Sequence, residues 1–303
     1  MTPFADRLAE AVRRAGNPLC VGLDPRWESL PATVRRRFGG DSLEAVAGAY
    51  EAFCLRVLEL IAGGVGIVKP QSAFFEACGP AGLAALQSVI RRAKDLGLLV
   101  ILDSKRGDIA STAAAYADAA FAGTAVASRR HPVWAADALT VNPYLGRDAV
   151  EPFLASARQV GGGLFVLVRT SNAGAGLFQD LECGGRKLYR HVAAAVVEWN
   201  AGGLGACGLG DVGAVVGATH PSELAELRAE MPAVWFLVPG YGAQGGSAKD
   251  VSAAFRSDGL GAVVNSSRGI TFPFQPDEPK WEDAIVSATA RASAELGDAS
   301  GRA

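Results

Sequence analysis

Short runs of apolar, largely β-branched residues recur along the chain, and each run ends in polar or glycine-rich residues. Stretches rich in Ala, Leu, Glu and Arg with helical periodicity separate them, among them 43–61, 82–96 and 221–229. Near-continuous apolar strands are typical of parallel sheets that helices cover on both faces. Eight strands are predicted, at 19–23, 66–68, 98–102, 138–141, 164–168, 214–216, 234–238 and 262–264.

The alternation of strand and helix through eight repeats predicts an α/β fold, specifically a (β/α)8 or TIM barrel. A doubly wound sheet is the alternative, since a strand count from sequence can err by one or two. No low-complexity linker divides the chain, which favours a single domain over residues 1–303 with a fraying tail after about residue 295. Two connections are long, 25–50 and a glycine-rich stretch at 172–211 that predicts insertions or a mobile loop.

Composition excludes several classes of protein. The net charge of −2 and pI near 6.0 argue against a surface for nucleic acid or anionic membranes. The sequence has no run of 18 apolar residues, so no transmembrane helix is predicted. The N-terminus lacks a secretion signal, and the expected location is therefore cytoplasmic. The five cysteines, without any C-x-x-C spacing, and three histidines predict neither a disulfide framework nor a metal site.

The most informative motif follows the third predicted strand and reads Asp103-x-Lys105-x-x-Asp108. Residues two apart on a strand point to the same face, so Asp103 and Lys105 are expected to meet at its carboxyl end. Taken alone, such a pair is equally consistent with a solvated surface ion pair, which contributes little. Charges that continue a buried strand are costly unless they are paired, and barrel enzymes hold their chemistry at this end.

Polar residues also follow the other predicted strands, and in a barrel these positions share one face. Lysines and aspartates gathered in one mouth would perturb each other's pKa values, which favours catalysis. Gly-rich backbone after the seventh strand, followed by an arginine after the eighth, favours a phosphate site. The residues concerned are Asp24, Lys69, Asn142, Tyr144, Ser171, Pro239, Gln244 and Arg268.

One motif resembles a nucleotide fingerprint but is out of place. Gly208-x-Gly210-x-x-Gly213 fits G-x-G-x-x-G, which must follow a strand and open a helix. Here it precedes the strand at 214–216, so it does not predict a nucleotide cofactor.

The ordered set of motifs resembles orotidine 5′-phosphate decarboxylases, in particular their longer bacterial form. The resemblance runs from about residue 19 to 270. It rests on Leu23-Asp24-Pro25, Val68-Lys69-Pro70, Asp103-x-Lys105-x-x-Asp108, Pro239-Gly-x-Gly-Ala-Gln244-Gly-Gly and Ser267-Arg268-Gly269. Each motif is weak alone, whereas the set in this order is specific. The resemblance implies decarboxylation of orotidine 5′-phosphate to UMP without a metal or cofactor.

The resemblance also implies roles for individual residues. Lys105 would protonate C6 of the pyrimidine as carbon dioxide leaves, and Asp103 would lie against the departing carboxylate. Asp108 would hold Lys105 and contact the ribose of the neighbouring subunit's substrate, which implies a homodimer. The remaining implied contacts are Lys69 and Asp24 to the ribose hydroxyls, Thr112 across the dimer, Ser171 to the pyrimidine amide edge, and Gln244 and Arg268 to the phosphate, with the loop from Pro239 closing over it.

Two other functions remain open at this point. A sugar-phosphate decarboxylase or aldolase of the same superfamily shares the Asp-x-Lys-x-x-Asp motif but binds magnesium, and it usually carries glutamate where Lys69 stands. A lysine there would repel a divalent cation. A non-catalytic nucleotide-binding barrel would have no need to retain the costly Asp103–Lys105 pair.

Overall fold

The computed structural model describes residues 1–242 and 245–301, so Gln244 lies outside the described residues. Within those ranges, eight parallel strands close into a barrel in the order β1-β8-β7-β6-β5-β4-β3-β2. The strands are β1 Leu19–Leu23, β2 Ile67–Pro70, β3 Leu99–Arg106, β4 Ala138–Val141, β5 Gly163–Arg169, β6 Val212–Val216, β7 Phe236–Val238 and β8 Ala262–Ser266. The TIM barrel prediction is confirmed, and closure of the sheet rules out the doubly wound alternative.

Helices surround the barrel and fill its connections. They are α1 Phe4–Ala15, α2 Ala32–Phe38, α3 Leu43–Ile61, α4 Ser72–Glu76, α5 Gly79–Asp95, α6 Ala110–Ala120, α7 Arg147–Gln159, α8 Gly176–Gln179, α9 Leu188–Asn200, α10 Pro221–Glu230, α11 Ala248–Val251, α12 Arg268–Thr271 and α13 Trp281–Ala299. Short 3-10 turns lie at Trp27–Ser29, Ala201–Gly203 and Ser252–Ala254. Over the part of the chain described, no helix is long and apolar enough to cross a lipid bilayer.

The hydrophobic core has two parts, and their arrangement closes one end of the barrel and leaves the other open. One part lies between the strands and the surrounding helices. The other fills the barrel interior and includes the buried face of α1, whose Phe4 ring meets Phe165 of β5 edge to face at 6.0 Å. Because α1 covers the amino ends of the strands, the carboxyl ends are left for a cavity.

The two long connections contain regular secondary structure. The stretch 25–50 contains α2 and the start of α3. The glycine-rich stretch 172–211 contains α8, a two-stranded hairpin (Glu182–Cys183 with Arg186–Lys187) and α9, so of the two predicted alternatives, insertions or a mobile loop, most of it is inserted secondary structure. Helix α13 also continues to Ala299 with Leu296 fully buried, past the residue near which fraying is predicted.

An ionic cluster anchors this insertion to the barrel. Arg169, buried at the end of β5, donates to Glu223 at 2.7 Å and lies 3.3 Å from a carboxylate oxygen of Asp180. Lys187 of the hairpin joins the same Asp180 at 3.2 Å, and both cations lie over the Tyr189 ring. The cluster attaches the insertion to the barrel at the carboxyl end of β5.

Candidate active site

A cavity of about 560 Å³ opens at the carboxyl ends of the strands. The walls include most of the residues that the sequence singles out: Asp24, Lys69, Asp103, Lys105, Ser171, Pro239 and Arg268. Further polar residues that were not predicted from the sequence also line the cavity, among them Gln71, Thr140 and Gln179. The predicted convergence of strand ends on one face is therefore observed.

Asp103 lies at the centre of this wall and is almost fully buried. Its Oδ2 accepts from Lys69 Nζ at 2.5 Å and from Gln71 Nε2 at 2.9 Å. The other oxygen, Oδ1, accepts from Lys105 Nζ at 2.7 Å and from the Thr140 hydroxyl at 2.8 Å. One carboxylate thus holds two ammonium groups, and its lone pairs are satisfied on both oxygens.

The charges of this array stabilise each other strongly. Burial alone would raise the pKa of Asp103, but the ammonium groups of Lys69 and Lys105 outweigh it and hold that pKa well below the usual range. Burial would likewise lower the pKa of Lys69, yet the carboxylates of Asp103 and Asp24 raise it above its ordinary value. Asp103 and Lys69 are therefore both ionised at neutral pH.

The meeting of Asp103 and Lys105 is confirmed, but the reason given from strand alternation is incomplete. The pairing of β3 with β4 shifts register between Leu102 and Arg106. Lys105 has a φ of +46°, in the left-handed region that a side chain with a Cβ rarely adopts. An irregular backbone, rather than regular pleating, therefore carries the lysine to Asp103.

Close backbone approach shapes the wall formed by β1 and β8. A Cβ on Gly22 would lie 1.9 Å from the Ser267 hydroxyl oxygen, so this position has no room for a side chain. Asn265 donates to the same hydroxyl oxygen at 3.3 Å. Asp24 follows β1, and its buried Oδ1 has no hydrogen-bond partner among the described residues. Such an unpaired carboxylate oxygen in a cavity wall suits a ligand hydroxyl.

The predicted phosphate residues occupy the end of the cavity next to β7 and β8. Pro239 and Gly240 follow β7, and Gly240 has a φ of +104°, which only glycine adopts without strain. Tyr241 anchors this loop by donating from its hydroxyl to Glu295 of α13 at 2.5 Å. Arg268, at the start of α12, is exposed toward the cavity mouth. Gln244 of the same loop lies outside the described residues.

A hydrogen-bonded network forms the opposite wall, around Ser171. Gln179 of α8 accepts from the Thr170 backbone N–H at 3.0 Å and donates to the Thr170 hydroxyl at 2.8 Å. That hydroxyl donates in turn to Asn172 Oδ1 at 2.7 Å. The insertion thereby holds the residues that flank Ser171 in the cavity wall.

Asp108 and Thr112 do not line the cavity of their own chain. Asp108 caps the following turn, where its Oδ1 accepts from the Ile109 N–H at 2.8 Å, and Thr112 is exposed on α6. Asn142 and Tyr144 also lie outside the cavity walls, because Asn142 Oδ1 accepts from the Tyr144 N–H at 3.0 Å and shapes a turn. Tyr144 is 83% exposed.

Two of the overlooked residues carried a usable signal. Gln71 stands two positions after Lys69, the same spacing that links Asp103 to Lys105. Thr140 is a lone hydroxyl inside the apolar run 138–141, and a buried polar side chain on a strand requires partners. Gln179 carried no such signal, since its position depends on how the insertion folds. Throughout 1–242 and 245–301, no three His, Cys, Asp or Glu side chains converge as a metal-ligand set.

Comparison with known proteins now identifies the family. Residues 17–278 match the family model described as orotidine 5′-phosphate decarboxylase / HUMPS family. The chain is 50% identical over 303 residues to the orotidine 5′-phosphate decarboxylase of Rhodopirellula baltica, covering 98% of this chain and 99% of that protein. The Deinococcus radiodurans enzyme of that name is 42% identical over 274 residues, at 90% coverage of each. The solved Leishmania donovani OMP decarboxylase superposes with a TM-score of 0.76 at 35% identity, covering 99% of each chain. This chain belongs to the orotidine 5′-phosphate decarboxylase family.

Proposed function

We propose that this carboxy-lyase, which converts orotidine 5′-phosphate to UMP and carbon dioxide in pyrimidine biosynthesis, does so without a cofactor by means of the Lys69–Asp103–Lys105 array. The bond between C6 and the carboxylate breaks, its electron pair stays on C6, and the Lys105 ammonium gives C6 a proton. The developing negative charge lies beside a cation that is already in place. The hydrogen bonds of Asp103 to both lysines are the observation that carries this proposal.

The roles proposed for the other wall residues agree with their positions. Asp103, in contact with Lys105, would lie against the departing carboxylate. Lys69 and the unpaired Oδ1 of Asp24 suit the ribose hydroxyls. Ser171 would read the amide edge of the pyrimidine from the wall opposite.

At the far end of the cavity, the phosphate would be held by Arg268 and Gln244, with the loop from Pro239 folding over it. An arginine fork suits phosphate oxygens geometrically. Contacts remote from the reacting carbon supply binding energy that orients the pyrimidine against Lys105. The reaction is expected to take place in the cytoplasm.

The active enzyme is proposed to be a homodimer in which Asp108 and Thr112 complete the neighbour's site. Neither residue faces the cavity of its own chain. Ile109, between them, is 53% exposed. Val126, on a second two-stranded hairpin (Thr124–Val126 with Arg129–His131) that follows α6, is 58% exposed. Exposed apolar residues beside site residues that do not face their own cavity fit a surface that a second copy covers.

A spectrophotometric assay tests the reaction directly. The orotate chromophore should be lost when orotidine 5′-phosphate is added, at the same rate with and without EDTA. Lys105→Ala should lower kcat by at least about a thousandfold, since a positioned acid and its charge are both removed. Exposed Lys280 provides the matched control, and Lys280→Ala should retain full activity. Turnover that EDTA abolishes, or a Lys105→Ala variant with normal kcat, would refute the proposal.

A mixed dimer tests the contribution across the interface. Asp108→Asn and Lys105→Ala chains, co-expressed with different affinity tags and purified as the heterodimer, should recover about half of the wild-type rate, since one of the two sites receives both intact residues. A Lys69→Ala chain with a Lys105→Ala chain is the control, because both residues line the same cavity. This control should stay inactive. No recovery in the first pair would show that Asp108 acts within its own chain.

A further inference from the structure

The backbone at Lys105 requires support from outside its own strand. Its left-handed φ of +46° is unfavourable for any residue with a Cβ, and the β3–β4 ladder is irregular at this point. Such a conformation persists only where surrounding contacts hold it. The side chain of Lys105 contributes little to holding this backbone conformation, because it is 47% exposed, whereas that of Asp103 is 7% exposed.

The support comes from the hydroxyl of one buried threonine on the neighbouring strand. Thr140 of β4 is 1% exposed. Its Oγ1 accepts from the backbone N–H of Lys105 at 2.9 Å and from that of Ser104 at 3.0 Å. The same hydroxyl donates to Asp103 Oδ1 at 2.8 Å. A hydroxyl has one proton and two lone pairs, so these three bonds use its full capacity.

We propose that Thr140 is a positioning residue that fixes Lys105 and Asp103 relative to each other before substrate binds. This proposal rests on the proposed role of Lys105 as proton donor. Through one oxygen, Thr140 holds the left-handed backbone that aims the lysine and the carboxylate that receives its Nζ. An exposed lysine with a long side chain gains little from an ion pair alone, so the backbone must set its direction.

The chemistry also explains why a hydroxyl is required at this position. A valine of nearly the same shape would leave the backbone N–H groups of Ser104 and Lys105 without their acceptor and Asp103 without one donor. Those N–H groups would then need another conformation of β3 to find partners. A displacement of about 1 Å at a reacting group can cost on the order of a hundredfold in rate.

The test compares Thr140→Val, which removes only the hydroxyl, with Thr140→Ser, which retains it. Thr140→Val should lower kcat by about 10- to 100-fold and change KM by less than about threefold, because the lysine is misplaced while the binding contacts stay. Thr140→Ser should stay within about threefold of wild type in both constants. Thr289→Val is the matched control, since this buried hydroxyl bonds only Ile285 O within α13 among the described contacts. Thr140→Ala repeats the comparison against Ser if valine is not accommodated.

A double-mutant cycle separates positioning from general destabilisation. With Lys105→Ala in place, Thr140→Val should lower the residual kcat by no more than about twofold, because the group that Thr140 positions is gone. Undiminished kcat in Thr140→Val, an equal defect in Thr140→Ser, or a full additive loss in the double variant would each overturn the proposal. Failure of the underlying function is distinguishable, since Lys105→Ala would then retain its activity.

Discussion

Lys69→Met provides the sharpest test of the buried charge array. The side chains of Lys69 and Asp103 are each only 7% exposed, and their charged atoms are 2.5 Å apart. At an effective dielectric constant of about 20, this attraction is worth about 7 kcal/mol before desolvation is subtracted. Removing one partner of such a pair typically costs about 3–5 kcal/mol, because the other charge stays buried. In Lys69→Met, Asp103 keeps its hydrogen bonds from Lys105, Gln71 and Thr140. We therefore expect the free energy of unfolding to fall by about 3 kcal/mol, the lower end of that range.

The cost of Lys69→Met should depend on pH in a defined direction. The pKa of Asp103 is lowered in the folded protein, so its stabilising contribution is present above its unfolded-state pKa of about 3.9 and is lost as the pH falls. The pKa of Lys69 is raised, so its contribution is present below about pH 10.4 and is lost as the pH rises through the folded value. In Lys69→Met the pKa of Asp103 rises, because the carboxylate has lost its buried cation, and protonation at low pH then relieves part of that cost.

Urea unfolding at about pH 7.5 and about pH 4.5 measures this effect. The free energy of unfolding of Lys69→Met should be about 3 kcal/mol below that of the wild type at the higher pH, and the difference should be clearly smaller at the lower pH. The Lys69→Met/Asp103→Asn double variant should be more stable than the sum of the single effects predicts, by about 2 kcal/mol. A deficit that is the same at both pH values, or full additivity in the double variant, would refute the electrostatic reasoning.

Three further substitutions follow from local geometry. Gly22→Ala should raise KM by at least about tenfold in steady-state assays, because its Cβ would lie 1.9 Å from the Ser267 hydroxyl oxygen. The Gly22→Ala/Ser267→Gly double variant should have a KM closer to that of the wild type, because the clash is removed. Arg228→Met should lower the free energy of unfolding by at least about 3 kcal/mol in urea titrations, since this buried guanidinium donates to backbone carbonyl oxygens beside β7 and β8. Gln179→Ala should raise KM about three- to tenfold at unchanged kcat, because the Thr170 network loosens while Lys105 is undisturbed. Normal kinetics for Gly22→Ala or Gln179→Ala, or wild-type stability for Arg228→Met, would contradict these contacts.

The barrel strands were predictable because burial on both faces leaves an uninterrupted apolar run. Their ends were less predictable, since polar residues continue several strands, as in β3, which extends to Arg106. Helix α9 was overlooked because glycines on either side of Leu188–Asn200 suggested a loop. The pattern had no way to show that an ionic cluster around Arg169 would hold that segment in place.

The site was predictable to the extent that its residues lie at strand ends. Asp24, Lys69, Asp103 and Lys105 line the cavity as expected. Thr140 and Gln71 carried signals in the sequence, a hydroxyl inside an apolar run and the two-residue spacing from Lys69, but only the fold shows that both donate a hydrogen bond to Asp103. The roles of Asp108 and Thr112 depend on a second chain, and they remain predictions.

The two lysines of the array are held by different physical means, and this difference suits the different roles proposed for them. Lys69 is buried, so its charge is kept in place by Asp103 and Asp24 at the cost of desolvation. Lys105 is half exposed at the cavity wall, and the backbone bond to Thr140 sets its direction. A buried lysine can supply a fixed field but has little freedom to reach a carbon atom, whereas an exposed one can reach it only if its backbone is fixed. The Asp103 carboxylate accepts hydrogen bonds from both lysines. Its charge therefore holds the two cations in place before the substrate arrives, as preorganised electrostatic catalysis requires.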